Sequence, residues 1–214
     1  MGVSAASYRA EETPMVGWGQ VLPELLPGMD IVNLAMAGRS TKTFLAENRL
    51  APAAEQGRPG DLVIIQFAHN DENEKKPERY APAWTEYRDN LRLFVGFARE
   101  RGMIPVLMTP ICMRIWKDGA LQPTHGEYPA AMRSVSEETG TALADLYPES
   151  FRIVEAMGEE GSKALFMHFS PGEHPAYPEG LEDNAHTRQA GAEQFAACAV
   201  RLLREEGLLP PAGA

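Results

Sequence analysis

The chain has 214 residues, of which 44% are hydrophobic and 23% charged, with a formal net charge of -10. That size and balance suit one domain over residues 1–214 with a sizeable core, and the acidic surplus argues against nucleic acid and anionic membrane as partners. No apolar run approaches the ~18 residues that span a bilayer, and no basic stretch followed by an apolar one opens the chain as a signal peptide would.

In chain order, apolar runs at 30–36 (DIVNLAM), 61–67 (DLVIIQF), 104–110 (IPVLMTP) and 141–146 (TALADL) read as strands. The first three are almost continuously apolar, the pattern of parallel strands covered on both faces. Segment 85–102 reads as a helix with Tyr87, Leu91, Phe94, Val95 and Ala98 on one face, and 128–140 as a second; both stop at glycine. The last helix, 188–206, places Phe195, Cys198, Ala199, Leu202 and Leu203 on one face and stops at Gly207. Strand alternating with helix predicts an α/β fold, a parallel sheet with helices on both sides. Segments 72–79 (ENEKKPER) and 167–183 (MHFSPGEHPAYPEGLED) read as polar loops, the second long enough to be functional. Cys112 and Cys198 lie far apart in apolar surroundings and read as buried free thiols.

Ligands of open parallel α/β sheets bind beyond the carboxyl ends of the strands. There the sequence places AGRSTK (37–42), AHND (68–71) and ICMR (111–114). Gly38 can aim a backbone N–H outward or merely turn the chain; Asn70 offers a side-chain donor or merely caps a loop. Together the two are candidates for an oxyanion hole. AGRSTK lacks the spacing of a phosphate-binding loop, which argues against nucleotide. Asp183 and His186, three apart, read singly as a helix cap and a surface histidine. Jointly they read as a base and its orienting carboxylate for acyl transfer. A metal-dependent hydrolase using His69, Asp71, Asp183 and His186 is the alternative drawn from the same residues. Trp18, Trp84 and Trp116 read as core aromatics or as platforms for sugar rings.

The segments TPMVGWGQ (13–20), NLAMAGRSTKTF (33–44), VIIQFAHND (63–71), YRDNLRLFV (87–95), PVLMTPICMR (105–114) and DNAHTRQAGA (183–192) resemble, nearly end to end and in order, the SGNH hydrolase superfamily in its rhamnogalacturonan acetylesterase-like branch. The resemblance implies a three-layer α/β/α sandwich with a flavodoxin-like parallel sheet and a serine esterase that removes O-acetyl groups from pectic saccharides. It implies His186 as base, Asp183 as its orienting partner, and Gly38 and Asn70 as oxyanion donors. Arg39, Ser40, His69 and Asp71 flank them as candidate substrate contacts. No metal or cofactor is implied, and the partner is an acetylated saccharide.

Three positions depart from the family pattern. Ala68 stands where glycine is usual, and Ala185 where threonine is usual. The family also opens with a strand running into Gly-Asp-Ser, whose serine is the nucleophile, whereas this chain opens MGVSAASYRAEETPM. Ungapped register puts Val3 at the nucleophile and Gly2 at the aspartate, with Ser4 one residue late; a three-residue slip puts the motif ahead of Met1. Losing a strand from inside the sheet would orphan backbone groups at ~1–3 kcal/mol each, severe against a total of ~5–15 kcal/mol. The opening therefore reads as a shortened, impaired chain with its first strand lacking. A natural catalytically silent saccharide-binding relative and service by Ser4 are the alternatives. On that reading the compartment is cytoplasmic if the start is genuine and secreted if a leader was lost.

Overall fold

The structure, a computed structural model, describes residues 5–9 and 12–211. A 3-10 turn at Trp18–Gln20 leads into α1 (Leu22–Leu25), followed by α2 (Thr41–Ala46) and α3 (Ala51–Gln56). Then come β1 (Leu62–Ile65), α4 (Arg88–Glu100), β2 (Ile104–Met108) and a small hairpin of β3 (Trp116–Lys117) and β4 (Ala120–Leu121). The chain continues through α5 (Tyr128–Thr139), β5 (Ala142–Ala144) and α6 (Leu146–Gly161). It closes with β6 (Phe166–Phe169), β7 (Leu181–Thr187) and α7 (Gln189–Glu205).

Strands β1, β2 and β5 form a parallel sheet in that order, with Leu62 opposite Ile104 and Val106 opposite Ala142. Because side chains alternate along a strand, each strand feeds two cores. Ile65 and Leu107 face Leu91, Phe94 and Val95 of α4 and Met132 of α5. Val106, Met108 and Ala144 face Val154 of α6 and Phe195, Ala199 and Leu203 of α7. Burial of each such large side chain stabilises by about 1.5–3 kcal/mol, so the apolar strands require helices on both sides. The result is the expected three-layer α/β/α, flavodoxin-like sandwich. Helix α5 ends on Gly140 in the left-handed region, and the thiols of Cys112 and Cys198 are free and buried. Among the described residues no helix is long and apolar enough to cross a membrane.

Three expectations change. Residues 30–36 form no strand or helix among the described residues. Instead the Asn33 carboxamide donates to the Ala5 carbonyl at 2.6 Å and the Ser7 hydroxyl at 3.0 Å, while Val32 is 50% exposed. Continuous apolarity here does not mean cover on both faces. The segment 167–183 is loop over 170–180, as expected, but strand at both ends, where β6 and β7 pair antiparallel with His168 opposite Glu182. Helix α6 goes unannounced in the sequence because Pro148 and two glycines interrupt it. Pro148 sits in the first turn, where its missing N–H costs no hydrogen bond.

Helix α7 approaches the hairpin through Gly191, where an added Cβ would lie 2.0 Å from the Leu165 carbonyl oxygen. That approach fixes the base of β7, the strand that carries Asp183 and His186.

Candidate active site

Asp183 and His186 lie on β7 itself, ahead of α7. The helix takes Arg188 as its N-cap and no side chain caps it, so Asp183 is not a helix cap. Its Oδ1 accepts the backbone N–H groups of Ala185 at 2.8 Å and His186 at 3.0 Å. Its Oδ2 lies 2.7 Å from His186 Nδ1. A carboxylate only accepts, so Nδ1 carries the proton and Nε2 is left as the basic nitrogen. Burial alone would raise the Asp183 carboxyl, but the hydrogen bonds from the His186 ring and from the amides of His186 and Ala185 outweigh it and bring it to about 2. The bond to Asp183 raises His186 against the opposing effect of burial. Neighbours hold the strand in place. The Asn184 oxygens receive the Arg114 backbone N–H at 2.8 Å and its guanidinium at 3.0 Å, and the Thr187 hydroxyl donates to the Val16 carbonyl at 2.6 Å.

Asn70 follows β1 and Gly38 lies in a turn before α2. Gly38 has φ +73, a conformation that favours glycine even though an added Cβ would find its nearest neighbour, Arg79 Nη1, at an ordinary 3.8 Å. The Asn70 Nδ2 donates to the Arg39 carbonyl at 3.3 Å, and Arg79 Nη1 donates to the Asn70 Oδ1 at 3.2 Å. Arg39 itself is engaged with Glu47 at 3.0 Å and the Ala37 carbonyl.

Ser40 and Asp71 are fully buried, which corrects their expected role as substrate contacts. Ser40 caps α2 by accepting the Thr43 N–H. Asp71 Oδ1 accepts the backbone N–H of Thr41 at 2.9 Å and its hydroxyl at 2.5 Å, while Oδ2 is buried without a hydrogen bond. Burial pushes this carboxyl up to about 8 despite the bonds from Thr41. The Asp71 pair thus clamps the start of α2 to the loop that carries Asn70.

A pocket of about 120 Å³ brings His186, Asn70 and His69 together, with Tyr8, Gly17 and Met113 among its other walls. Gly38, Arg39, Ser40 and Asp71 do not line it. Burial, with smaller effects from His125 and His186, holds His69 well below the usual imidazole range, and its Nε2 has no partner. His125 packs edge-on against His69 at 4.3 Å between centroids, and its ring nitrogens face Glu72 and the Ile111 carbonyl. The Tyr8 hydroxyl is buried without a partner, and burial together with the Asp183 charge raises its pKa. No residue lining this pocket among those described is serine or cysteine. Burial pushes the Cys112 thiol up to about 12, out of range for a nucleophile. Gly2, Val3 and Ser4 lie outside the described residues.

The four residues of the metal alternative do not converge. Asp71 turns to Thr41 and Asp183 to residues 185 and 186, and among the described residues no three His, Cys, Asp or Glu side chains are grouped to hold an ion. Trp18 is buried and donates to Gln66 at 3.0 Å, whereas Trp84 is 44% exposed beside a separate concavity with Tyr80 and Glu127. Two further site residues, Tyr8 and Arg79, escape notice in the sequence. A cation nine positions after Asn70, in a loop stiffened by Pro77, is a weak sign of Arg79; nothing marks Tyr8.

The model of the GDSL-like lipase/acylhydrolase family matches residues 2–194. Rhamnogalacturonan acetylesterase RhgT of Bacillus subtilis is 40% identical over 199 residues, covering 92% of this chain and 84% of that protein. The crystal structure of the Bacillus subtilis YXIM protein superposes with a TM-score of 0.80 at 26% identity, covering 100% of this chain and 56% of that one. The fold is shared as well with Axe2, an acetylxylan esterase from Geobacillus stearothermophilus, at a TM-score of 0.64 and 20% identity over 96% of this chain and 91% of that one. The chain belongs to the GDSL-like lipase/acylhydrolase family.

Proposed function

We propose that this protein is a carbohydrate O-deacetylase acting on acetylated pectic saccharide, with His186 as base, Asp183 as its orienting carboxylate, and Asn70 and Gly38 as oxyanion donors. The observation that carries the reading is the 2.7 Å contact from Asp183 Oδ2 to His186 Nδ1, which frees Nε2 in the pocket that Asn70 also lines. A pocket of about 120 Å³ is small beside the ~300–1,000 Å³ of drug-sized ligand sites. It suits an acetyl group better than a long acyl chain. Rhamnogalacturonan comes from the name of the relative RhgT.

In this reaction a serine oxygen attacks the acetyl carbonyl carbon while His186 Nε2 takes its proton. The carbonyl electrons move onto oxygen, where the Asn70 carboxamide and the Gly38 N–H receive them. Collapse of this intermediate breaks the bond to the sugar oxygen, which leaves with the proton from His186. Water, deprotonated by the same imidazole, then cleaves the acetyl-serine ester, releasing acetate and restoring the serine. The family's nucleophile position falls ahead of Ala5, at Val3 in ungapped register, with Ser4 next to it. Release of acetate from acetylated rhamnogalacturonan oligosaccharide tests the reading. It should be blocked by a serine-directed phosphonate, be indifferent to chelator, and be lost on His186→Ala.

Val3 in that register also supports a second reading, a saccharide-binding protein without turnover. It predicts saturable binding of the acetylated oligosaccharide with no acetate released.

A further inference from the structure

We propose that Arg79 is a positioning residue that sets the orientation of the Asn70 carboxamide, an inference that rests on the reading of Asn70 as an oxyanion donor. A carboxamide has one face that donates and one that accepts, and rotating it by half a turn exchanges them. With the oxygen toward the pocket, Asn70 would repel the developing oxyanion instead of binding it.

The guanidinium resolves that choice, because it donates and cannot accept. Its Nη1 stands 3.2 Å from the Asn70 Oδ1, so the oxygen must face Arg79. One proton of the Asn70 Nδ2 then goes to the Arg39 carbonyl at 3.3 Å. The other remains for the pocket that Asn70 lines.

The backbone holds Arg79 at this post. Its N–H donates to the Lys76 carbonyl at 2.8 Å, and the Ala81 N–H returns to the Asp71 carbonyl at 3.0 Å, closing the loop onto the residue next to Asn70. The Tyr128 hydroxyl meets the carbonyls of Asp71 and Ala81 at 3.0 and 2.9 Å, pinning both ends of that loop. The guanidinium also lies 3.8 to 4.0 Å from the point where a Gly38 Cβ would stand, so it adjoins both donors. Its carboxylate partner, Glu78, is 3.9 Å away, the most distant of the ion pairs among the described residues, and leaves the charge largely unneutralised on the side of Asn70. The polar segment 72–79 thereby acquires a purpose: it delivers this cation.

The test has a readout independent of turnover. In a 1H–15N spectrum of the chain, the Asn70 carboxamide pair is identified by its loss in Asn70→Asp. Arg79→Met should shift and broaden that pair, and Arg79→Lys should restore it in part, with the melting temperature unchanged in both. An unaltered pair in Arg79→Met overturns the proposal. Kinetics on p-nitrophenyl acetate, with every variant built in a Gly2→Asp/Val3→Ser chain that has its serine in the family register, separate this from failure of the underlying reading. If Asn70→Ala leaves kcat unchanged, Asn70 is not an oxyanion donor, and the role of Arg79 in ester cleavage goes with it. If Asn70→Ala lowers kcat, Arg79→Met should lower it roughly 10- to 100-fold with little change in KM, less than the ~10²- to 10³-fold known for outright loss of one oxyanion donor. It should lower it no further in the Asn70→Ala background; a full additional loss there contradicts positioning through Asn70.

Discussion

His186 meets Asp183 twice: its ring Nδ1 lies 2.7 Å from Oδ2, and its backbone N–H lies 3.0 Å from Oδ1 of the same carboxylate. One side chain therefore fixes both the ring and the backbone that carries it. Asp183→Asn replaces one acceptor by a donor facing Nδ1, which favours the wrong tautomer. In a chain carrying serine at position 3, in the family register, turnover of an acetyl ester should fall by roughly 10³- to 10⁴-fold. The ring should also titrate lower than in the parent chain, measured by NMR.

The same pair sets a pH window. Asp183 titrates at about 2 in the folded chain against an ordinary 3.8, so its contribution is present above 3.8 and fades as pH falls toward 2. His186 is raised above 6.5, so its contribution is complete below 6.5 and fades as pH rises through its folded value. Stabilisation by the pair should be greatest between these limits. The melting temperature of the parent chain minus that of an Asp183→Asn/His186→Ala variant should show that maximum. As a base, His186 must be neutral, so the acid limb of kcat/KM should lie above pH 6.5.

Asp71 should act with the opposite sign. Its carboxyl is held up to about 8 by burial, so the folded chain keeps a proton that the unfolded chain loses near 3.8. Stability from this group should fall as pH climbs from 3.8 to about 8. Asp71→Asn should remove that slope in a series of thermal melts, and a slope that persists unchanged would mean that Asp71 is ionised in the fold.

Gly191→Ala should loosen the base of the site. Its Cβ would meet the Leu165 carbonyl oxygen at 2.0 Å, backbone that cannot rotate away. A loss of about 1–3 kcal/mol, the range for overpacking a core, is expected in urea unfolding. His186 resonances should shift with it, because β6 and β7 are paired to each other and α7 packs on β7 and on the turn over 162–165 that leads into β6.

Much of this was legible in the residues. The runs around Ile64 and Val106 read as strands because their continuous apolarity matches a core on both faces of the sheet, and the shorter run around Leu143 read as one beside them. The Asp183–His186 pair was legible from its spacing, although for a different reason. Alternation alone would send residues three apart to opposite faces of a strand. The pair meets because Asp183 Oδ1 gathers the amides of residues 185 and 186 into a turn. What was illegible depended on distant partners. Asn33 satisfies its segment through its side chain, Asp71 is buried by Thr41 and its surroundings, and Arg79 reaches Asn70 only because the loop folds back onto Asp71.

On the proposed reading His186, Asp183 and Asn70 form acyl-transfer machinery that works once a serine stands in the family register. Gly2→Asp with Val3→Ser places Asp-Ser there, and p-nitrophenyl acetate hydrolysis by that variant, with and without His186→Ala, tests the claim directly. Turnover should rise at least ~10²-fold above the parent chain and disappear with the imidazole, since the triad acts as a unit. No gain over the parent chain, or a gain that survives His186→Ala, would contradict it.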